Sequence, residues 1–229
     1  VLAAVRTAGS PDSARAASGA GRTAANRARC WSASSAKFGM AMTGGGSLIR
    51  MGCHPLSAIL YLKQVEAKAR GETIGVASVT CDVGNVAACL RADERTVIKS
   101  NPVDVEDWGT LTVTFSDGTK ATVFSGDMVV GGVRNLIETY TSGGALFANI
   151  TPNTHMMSYQ TSEEKLASVY ITEKVDRKTG WQYVCLEEEW TRGYLQEIQD
   201  FMECTATGRQ PLSDLDLAFE TIKVNYAGY

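Results

Sequence analysis

Arg50 and His54 stand four positions apart in an otherwise apolar stretch, residues 43–63, which reads TGGGSLIRMGCHPLSAILYLK. On a helix, side chains four positions apart lie on one face, so these two can contribute to one site. A neutral imidazole is a suitable general base near pH 7, and a planar guanidinium pairs well with a carboxylate or phosphate. A hydrogen-bonded structural histidine and a solvated or salt-bridged arginine are the alternatives that carry no chemistry.

The apolar residues of this stretch recur at helical spacing and predict a helix over residues 47–63. The glycines before it mark the start of the helix, and Gly71 is a plausible stop. Pro55 falls inside this helix, where a proline costs about 3 kcal/mol unless the helix bends or begins a new turn. We therefore expect a bend near His54.

Residues 73–175 contain several segments that are rich in β-branched residues and partly alternate in polarity, as half-buried strands do. The clearest are residues 109–117 and 120–130, because the turn sequence SDGT at residues 116–119 joins them into a hairpin. The other predicted strands span residues 73–83, 135–141, 144–150 and 166–175. Since short turns separate the strands, we expect one mostly antiparallel sheet.

The C-terminal residues change to helical spacing and predict two amphipathic helices, 190–206 and 213–229. Gly208 is a plausible stop for the first helix, whose apolar stripe consists of Trp190, Tyr194, Ile198, Phe201 and Met202. Ser213 is the expected cap of the second helix, whose stripe consists of Leu215, Phe219, Ile222 and Tyr226. We expect both stripes to pack as core against the sheet.

Together these elements predict an α+β (α/β) fold, an open, mostly antiparallel β-sheet with helices packed on one face. The other face is left for solvent, a ligand or another subunit. The chain has 229 residues, of which 44% are hydrophobic, and lacks an apolar run of about 18 residues, so we expect no membrane span. The formal charge of -3 gives no indication of a nucleic-acid partner.

The cysteines and histidines are too dispersed to indicate a metal site. Six cysteines stand singly without a C-x-x-C pair, and His54 and His155 are about a hundred positions apart. Buried reduced thiols are the simpler interpretation of the cysteines, and they favour a cytoplasmic location.

Residues 1–40 differ in composition from the rest and are predicted to be a basic, irregular segment rich in Ala, Ser, Arg and Gly, followed by one domain, 41–229. Residues 1–37 carry six basic side chains and one acidic, a net +5, so the remainder is -8. Gly19, Gly21 and Ala24 match the G-x-G-x-x-A pattern of dinucleotide sites. The pattern lacks the preceding buried strand and the acidic residue about 20 positions on, so we expect no cofactor-binding residues here.

Four stretches in order resemble the C-terminal, substrate-binding domain of the Gfo/Idh/MocA oxidoreductases. They are GGGSLIRMGCH at residues 44–54, VEDWGTLTVTFSDGTKATVFSG at 105–126, IETYTSGGAL at 137–146, and LQEIQDFMECTATGRQPLSDLDLAFETIKVNYAGY at 195–229. The first motif of the family usually reads like GGG-x-L-x-D-x-G-x-H. His54 matches its histidine, Arg50 stands at the position of its Asp, and Ser57 stands at a second, often acidic position.

The resemblance implies that complete members join this domain to a Rossmann domain, which supplies a catalytic Lys and holds NAD or NADP. It implies an oxidoreductase acting on a sugar-like or cyclitol-like polyol, with His54 catalytic and Arg50 substrate-binding. Because a carboxylate at position 50 would orient the imidazole, Arg50→Asp is expected to raise His54-dependent activity. We expect a chain truncated of its nucleotide-binding half, which on its own binds no cofactor; whether it is an enzyme by itself stays open.

A homo-oligomer through the open sheet face is the expected assembly. Two alternatives remain at this point. The domain can be a noncatalytic assembly module, in which case the open sheet face is continuous and apolar. It can also be a binding module for a polar small molecule that uses the same cleft without redox chemistry.

Overall fold

The computed structural model of the chain describes residues 2–6, 39–91, 93–94, 102–128, 134–150, 156–164, 168, 178–184 and 188–229. His155, the G-x-G-x-x-A pattern at residues 19–24 and all but residue 168 of the strand predicted at 166–175 lie outside the described residues. Within the described ranges, no helix has the length and hydropathy needed to cross a membrane.

Six strands form one open sheet in the order β2-β3-β4-β1-β5-β6, and β7 and β8 form a separate two-stranded sheet. The strands are β1 Leu2–Arg6, β2 Val76–Gly84, β3 Trp108–Phe115, β4 Lys120–Gly126, β5 Leu136–Thr141, β6 Gly144–Asn149, β7 Met156–Gln160 and β8 Gly180–Val184. Neighbouring strands are antiparallel except β1 and β5, which are parallel. The mostly antiparallel sheet is confirmed, but the strands of residues 73–175 divide between two sheets rather than forming one.

Strand β1 lies inside the segment predicted to be irregular, so that prediction is wrong for residues 2–6. The strand pairs with β4 on one side and with β5 on the other. The backbone groups of β4 and β5 that face this gap need hydrogen-bond partners, and a short apolar strand supplies them. The strand was not predicted, because the basic, Ala- and Ser-rich composition of the whole segment indicates irregular structure. The boundary between 1–40 and 41–229 stays a prediction.

The helices are α1 Met40–Thr43, α2 Ser47–Arg50, α3 Cys53–Arg70, α4 Glu188–Thr191, α5 Tyr194–Thr207 and α6 Leu215–Gly228. Helices α2, α3 and α6 contact the large sheet, as predicted for helices on one face. The core joins alternate residues of β3 and β4 to these helices: Leu111, Val113, Phe115, Ala121 and Val123 with Leu48, Leu56, Ile59, Leu60, Leu217 and Val224. This alternation leaves the other residues of the two strands for the open face.

The helix predicted at residues 47–63 is divided in two, which confirms the expected bend near His54. Helix α2 ends at Arg50, a turn follows at residues 51 and 52, and α3 begins at Cys53. Pro55 is the third residue of α3, in the first turn, where its missing N–H breaks no helical hydrogen bond. Helix α3 ends at Gly71 with a φ of 66°, as the sequence predicted.

The prediction that both C-terminal stripes form core is wrong. In α5 only Cys204 is buried, and Phe201 is 64% exposed. In α6 the buried residues are Leu217, Thr221, Val224 and Asn225, on the face opposite the predicted stripe, and Phe219 is 69% exposed. Spacing shows which apolar residues share a helix face but not which face meets the sheet.

The cap of α6 also differs from the prediction. The cap is Asp214, one residue after the predicted Ser213, and its carboxylate accepts the Leu217 N–H at 2.8 Å. An aspartate in this position satisfies an unpaired amide of the first turn, and its negative charge interacts favourably with the positive end of the helix dipole. The stop at Gly208 is confirmed, since this residue caps α5 with a φ of 72°.

The predicted hairpin is confirmed as β3 and β4, and its turn is attached to α3. Asp117 accepts the N–H of Thr119 at 3.0 Å and the Lys63 ammonium at 2.9 Å. Lys63 is 4% exposed and also lies over the Phe115 ring. Burial alone raises the pKa of Asp117, but hydrogen bonds from Thr119 and Lys63 outweigh it and hold this pKa at about 2.

Asp117→Asn is expected to lower the free energy of unfolding at pH 7 by about 1–2 kcal/mol, allowing for partial screening by solvent. The pKa of Asp117 is depressed below its ordinary 3.8, so this stability is present above that pH and is lost as the pH falls towards 2. Urea unfolding across this range measures it, with the exposed Asp93→Asn as control. A variant difference that persists unchanged at pH 2 would contradict the assignment.

Candidate functional site

The glycine-rich turn before α2 is closed by Glu106, a buried residue from the segment before β3. Its carboxylate accepts the Gly46 N–H at 3.0 Å and the Leu48 N–H at 2.9 Å, and its carbonyl accepts the Ser47 N–H at 2.9 Å. Glu106 thus satisfies three successive amides at the helix start, which would otherwise lack partners. A Cβ on Gly46 would lie 1.9 Å from the Glu106 carbonyl oxygen, so this close approach requires glycine.

Two tyrosines from the end of α6 contact the same turn. The Tyr226 hydroxyl donates to the Gly44 carbonyl at 2.9 Å, and the Tyr229 hydroxyl donates to Glu106 Oε1 at 2.5 Å. Burial and the hydrogen bond to Glu106 raise the pKa of Tyr229, so this hydroxyl stays protonated and donates. The start of α2 is therefore fixed by residues distant in sequence.

The other end of α2 is held through Asp127, just after β4. The Arg50 guanidinium lies 3.3 Å from the Asp127 carboxylate, and the Asp127 N–H donates to the Asp107 carbonyl at 2.9 Å. Asp107 is fully buried, and its carboxylate accepts the N–H groups of Val86 and Ala87. Arg50 is thus salt-bridged to Asp127, and its substrate-binding role stays a prediction.

His54 is the second residue of α3 and is exposed to solvent. The turn at residues 51 and 52 separates it from Arg50, so the premise that both stand on one continuous helix is wrong. The distance and orientation between the Arg50 and His54 side chains therefore depend on the conformation of this turn. A Cβ on Gly52 would lie 2.5 Å from the Leu48 carbonyl oxygen, which makes glycine necessary there too.

The cysteine beside His54 does not extend this site to thiolate chemistry. Cys53 is half-buried, and burial raises the pKa of its thiol. Among the residues that the structure describes, no group of three His, Cys, Asp or Glu side chains is arranged to hold a metal ion.

The glycine-rich turn does not fit a nucleotide phosphate. A phosphate at a helix start is held by free backbone N–H groups, and here Glu106 accepts all three at the start of α2. A carboxylate already occupies the position that an anion would take. The start of α2 therefore offers no phosphate site.

Sequence reasoning identified His54 and Arg50 but not Glu106, Asp127 or Tyr229. A signal for Glu106 was present, because two adjacent acids, Glu106 and Asp107, precede the first strand of the clearest hairpin. Acids before a strand are common, however, and only the folded chain shows that both are buried and satisfied by backbone amides.

The chain was compared with known proteins. The family model described as the GFO/IDH/MocA C-terminal domain matches residues 7–147. No curated protein sequence matches the chain.

Two solved structures are similar to it. The crystal structure of GenD2 from gentamicin A biosynthesis in complex with NAD is 20% identical, with a TM-score of 0.59, and the match covers 100% of this chain and 51% of GenD2. A probable dehydrogenase from Thermotoga maritima is 19% identical, with a TM-score of 0.49, over 81% of this chain and 46% of that protein. The chain spans about half the length of these proteins.

Proposed function

This chain belongs to the GFO/IDH/MocA family through its C-terminal domain, and on this premise we propose that it is the substrate-binding half of an NAD(P)-dependent oxidoreductase. The proposed substrate is a sugar-like or cyclitol-like polyol. The observation that carries the proposal is the exposed His54 in the first turn of α3, at the end of the stretch that resembles the family motif. GenD2 is a complex with NAD, which supports NAD or NADP as the cofactor of the complete protein.

His54 is the proposed general base. Its imidazole would accept the proton of the substrate hydroxyl as the alcohol is oxidised, and its exposed position leaves it accessible to a substrate. The Arg50 guanidinium, held by Asp127, would bind a polar or anionic group of the substrate at the neighbouring helix end. The nucleotide would be held by the other half, because Glu106 occupies the helix start at which this chain could otherwise bind a phosphate.

The apolar outer faces of α5 and α6 are the proposed docking surface for the nucleotide-binding half. Large side chains there are exposed although they stand at core-like helical spacing: Leu195, Ile198, Phe201, Met202, Leu215, Phe219 and Ile222. Arg209, in the connection between α5 and α6, is held to α5 by ion pairs with Asp200 and Glu203. Large apolar side chains exposed in such number on a helix face indicate an interaction site.

The isolated chain is expected to bind NAD(H) and NADP(H) no more tightly than millimolar. The reason is that Glu106 already accepts the amides of the glycine-rich helix start. Isothermal titration calorimetry with each nucleotide measures this affinity. A micromolar dissociation constant would mean that this chain holds the cofactor itself, and the proposed division between two halves would fail.

We also propose that the protein forms a homo-oligomer through the open sheet face and that it is located in the cytoplasm. The centre of this face carries threonines, among them Thr112 and Thr122, while Tyr140 and Phe147 form an edge-to-face pair at the β5–β6 end. The face is therefore not continuous and apolar, which favours a catalytic half that oligomerises over a pure assembly module. The cysteines of the described residues are free thiols, which supports a reducing compartment.

Phe147→Glu is expected to convert the oligomer to a smaller species, because it places a charge on the apolar part of the proposed interface. Phe147 is 66% exposed in the single chain. Light scattering after size exclusion measures the mass. Trp181→Glu, on the separate two-stranded sheet and 69% exposed, is the control and should leave the mass unchanged. Equal masses for wild type and Phe147→Glu would remove the open face as the interface.

A further inference from the structure

The adjacent acids Glu106 and Asp107 hold both ends of α2. Glu106 accepts the amides of Gly46, Ser47 and Leu48 at its start. The Asp107 carbonyl accepts the N–H of Asp127, whose carboxylate pairs with Arg50 at its end. A four-residue helix has almost no stability of its own, so its place depends on these outside contacts.

The position of α2 decides where α3 begins. Only residues 51 and 52 separate the two helices, and the Gly52 N–H donates to the Ser47 carbonyl at 3.0 Å while the Leu56 N–H donates to the Gly52 carbonyl at 3.1 Å. A displacement at the start of α2 is thus transmitted through hydrogen bonds to the first turn of α3, which carries His54.

The Glu106 carboxylate is in turn held by Tyr229. The Tyr229 hydroxyl donates to Oε1, the oxygen that also accepts the Leu48 N–H. Glu106 is 8% exposed, so the loss of one donor would leave a buried carboxylate short of a partner. Hydrogen bonds to a buried charged group are among the stronger ones in proteins.

We propose that Glu106 and Tyr229 are positioning residues for His54: the tyrosine fixes the carboxylate, and the carboxylate fixes the turn from which α3 presents the imidazole. The proposal rests on the proposed function for the role of His54. It assigns a task to the end of α6, which the motif residues alone do not suggest.

Nuclear magnetic resonance of the full chain with labelled histidine tests the proposal. The chain has only two histidines, so the spectrum has two imidazole signals, and the loss of one in His54→Ala assigns them. Tyr229→Phe is expected to speed amide exchange at Gly46 and Leu48 about tenfold and to shift the His54 imidazole signal. Glu106→Gln should produce the same changes to a larger extent.

Tyr194→Phe is the matched control, since Tyr194 also stands at a helix end and is 47% exposed against 46% for Tyr229. It should leave both signals in place. Faster exchange at Gly46 and Leu48 with an unchanged His54 signal would show a merely structural hydrogen bond and overturn the proposal. Unchanged exchange in both Tyr229→Phe and Glu106→Gln would overturn it as well.

These readouts need no cofactor, substrate or partner. A protein that lacks oxidoreductase activity would therefore remove the proposed function, while the coupling between Tyr229 and His54 would stand or fall on the spectra alone.

Discussion

His54→Ala is expected to lower turnover at least about 100-fold in a protein that combines this chain with a nucleotide-binding half, because a positioned general base contributes about 10²- to 10⁴-fold. His54 is exposed, so its loss should change the free energy of unfolding by no more than about 0.5 kcal/mol. Turnover and melting temperature, measured on the same preparations, separate the catalytic role from a structural one.

Gln64→Ala is the control for this experiment, since Gln64 is an exposed polar residue of the same helix and lies nearly three turns further on. It should leave both turnover and melting temperature unchanged. A His54→Ala protein that melts earlier but keeps its rate per folded molecule would show that the histidine is structural, and the catalytic assignment would then be withdrawn.

Gly46→Ala is expected to lower the free energy of unfolding by about 3 kcal/mol, at the upper end of the usual range for overpacking. The new methyl carbon would lie 1.9 Å from the Glu106 carbonyl oxygen and 2.6 Å from its carboxylate, so the turn or the strand end must move. For a chain of this size the melting temperature should fall by roughly 6–12 °C. Thermal unfolding followed by circular dichroism measures it.

Gly75→Ala provides the comparison, because a Cβ there has no neighbour within 4 Å. It should change the free energy of unfolding by no more than about 0.5 kcal/mol. If the Gly46→Ala variant melts at the same temperature as the wild type, Glu106 does not approach the turn this closely. Glu106 would then not be the residue that holds the start of α2.

The fold could be predicted from the sequence where local chemistry decides it. The β3–β4 hairpin follows from alternating residues and a turn in which Gly118 has a φ of 83°, and the division of the site helix follows from Pro55. The face of α6 could not be predicted, because Leu217 and Val224 compete with Leu215 and Phe219 for burial, and only contact with α3 and β2 decides between them. Strand β1 depends on long-range pairing in the same way.

Of the candidate site, only the residues within the glycine-rich motif could be predicted from the sequence. His54 and Arg50 stand in one short stretch, whereas Asp127 reaches Arg50 from the end of another strand. This neighbour changes one expectation: Arg50→Asp would set two carboxylates against each other, so the single substitution is no longer expected to raise activity. A contact between residues so distant in sequence cannot be predicted from the spacing of residues along the chain.

The most direct test of the central claim is reduction of nicotinamide cofactor measured with a panel of sugars and cyclitols in three mixtures. These are this chain alone, the chain with a separately produced nucleotide-binding half, and the His54→Ala chain with that half. We expect no reduction in the first mixture, reduction in the second, and a rate at least about 100-fold lower in the third. Reduction by this chain alone, or an undiminished rate in the His54→Ala mixture, would contradict it.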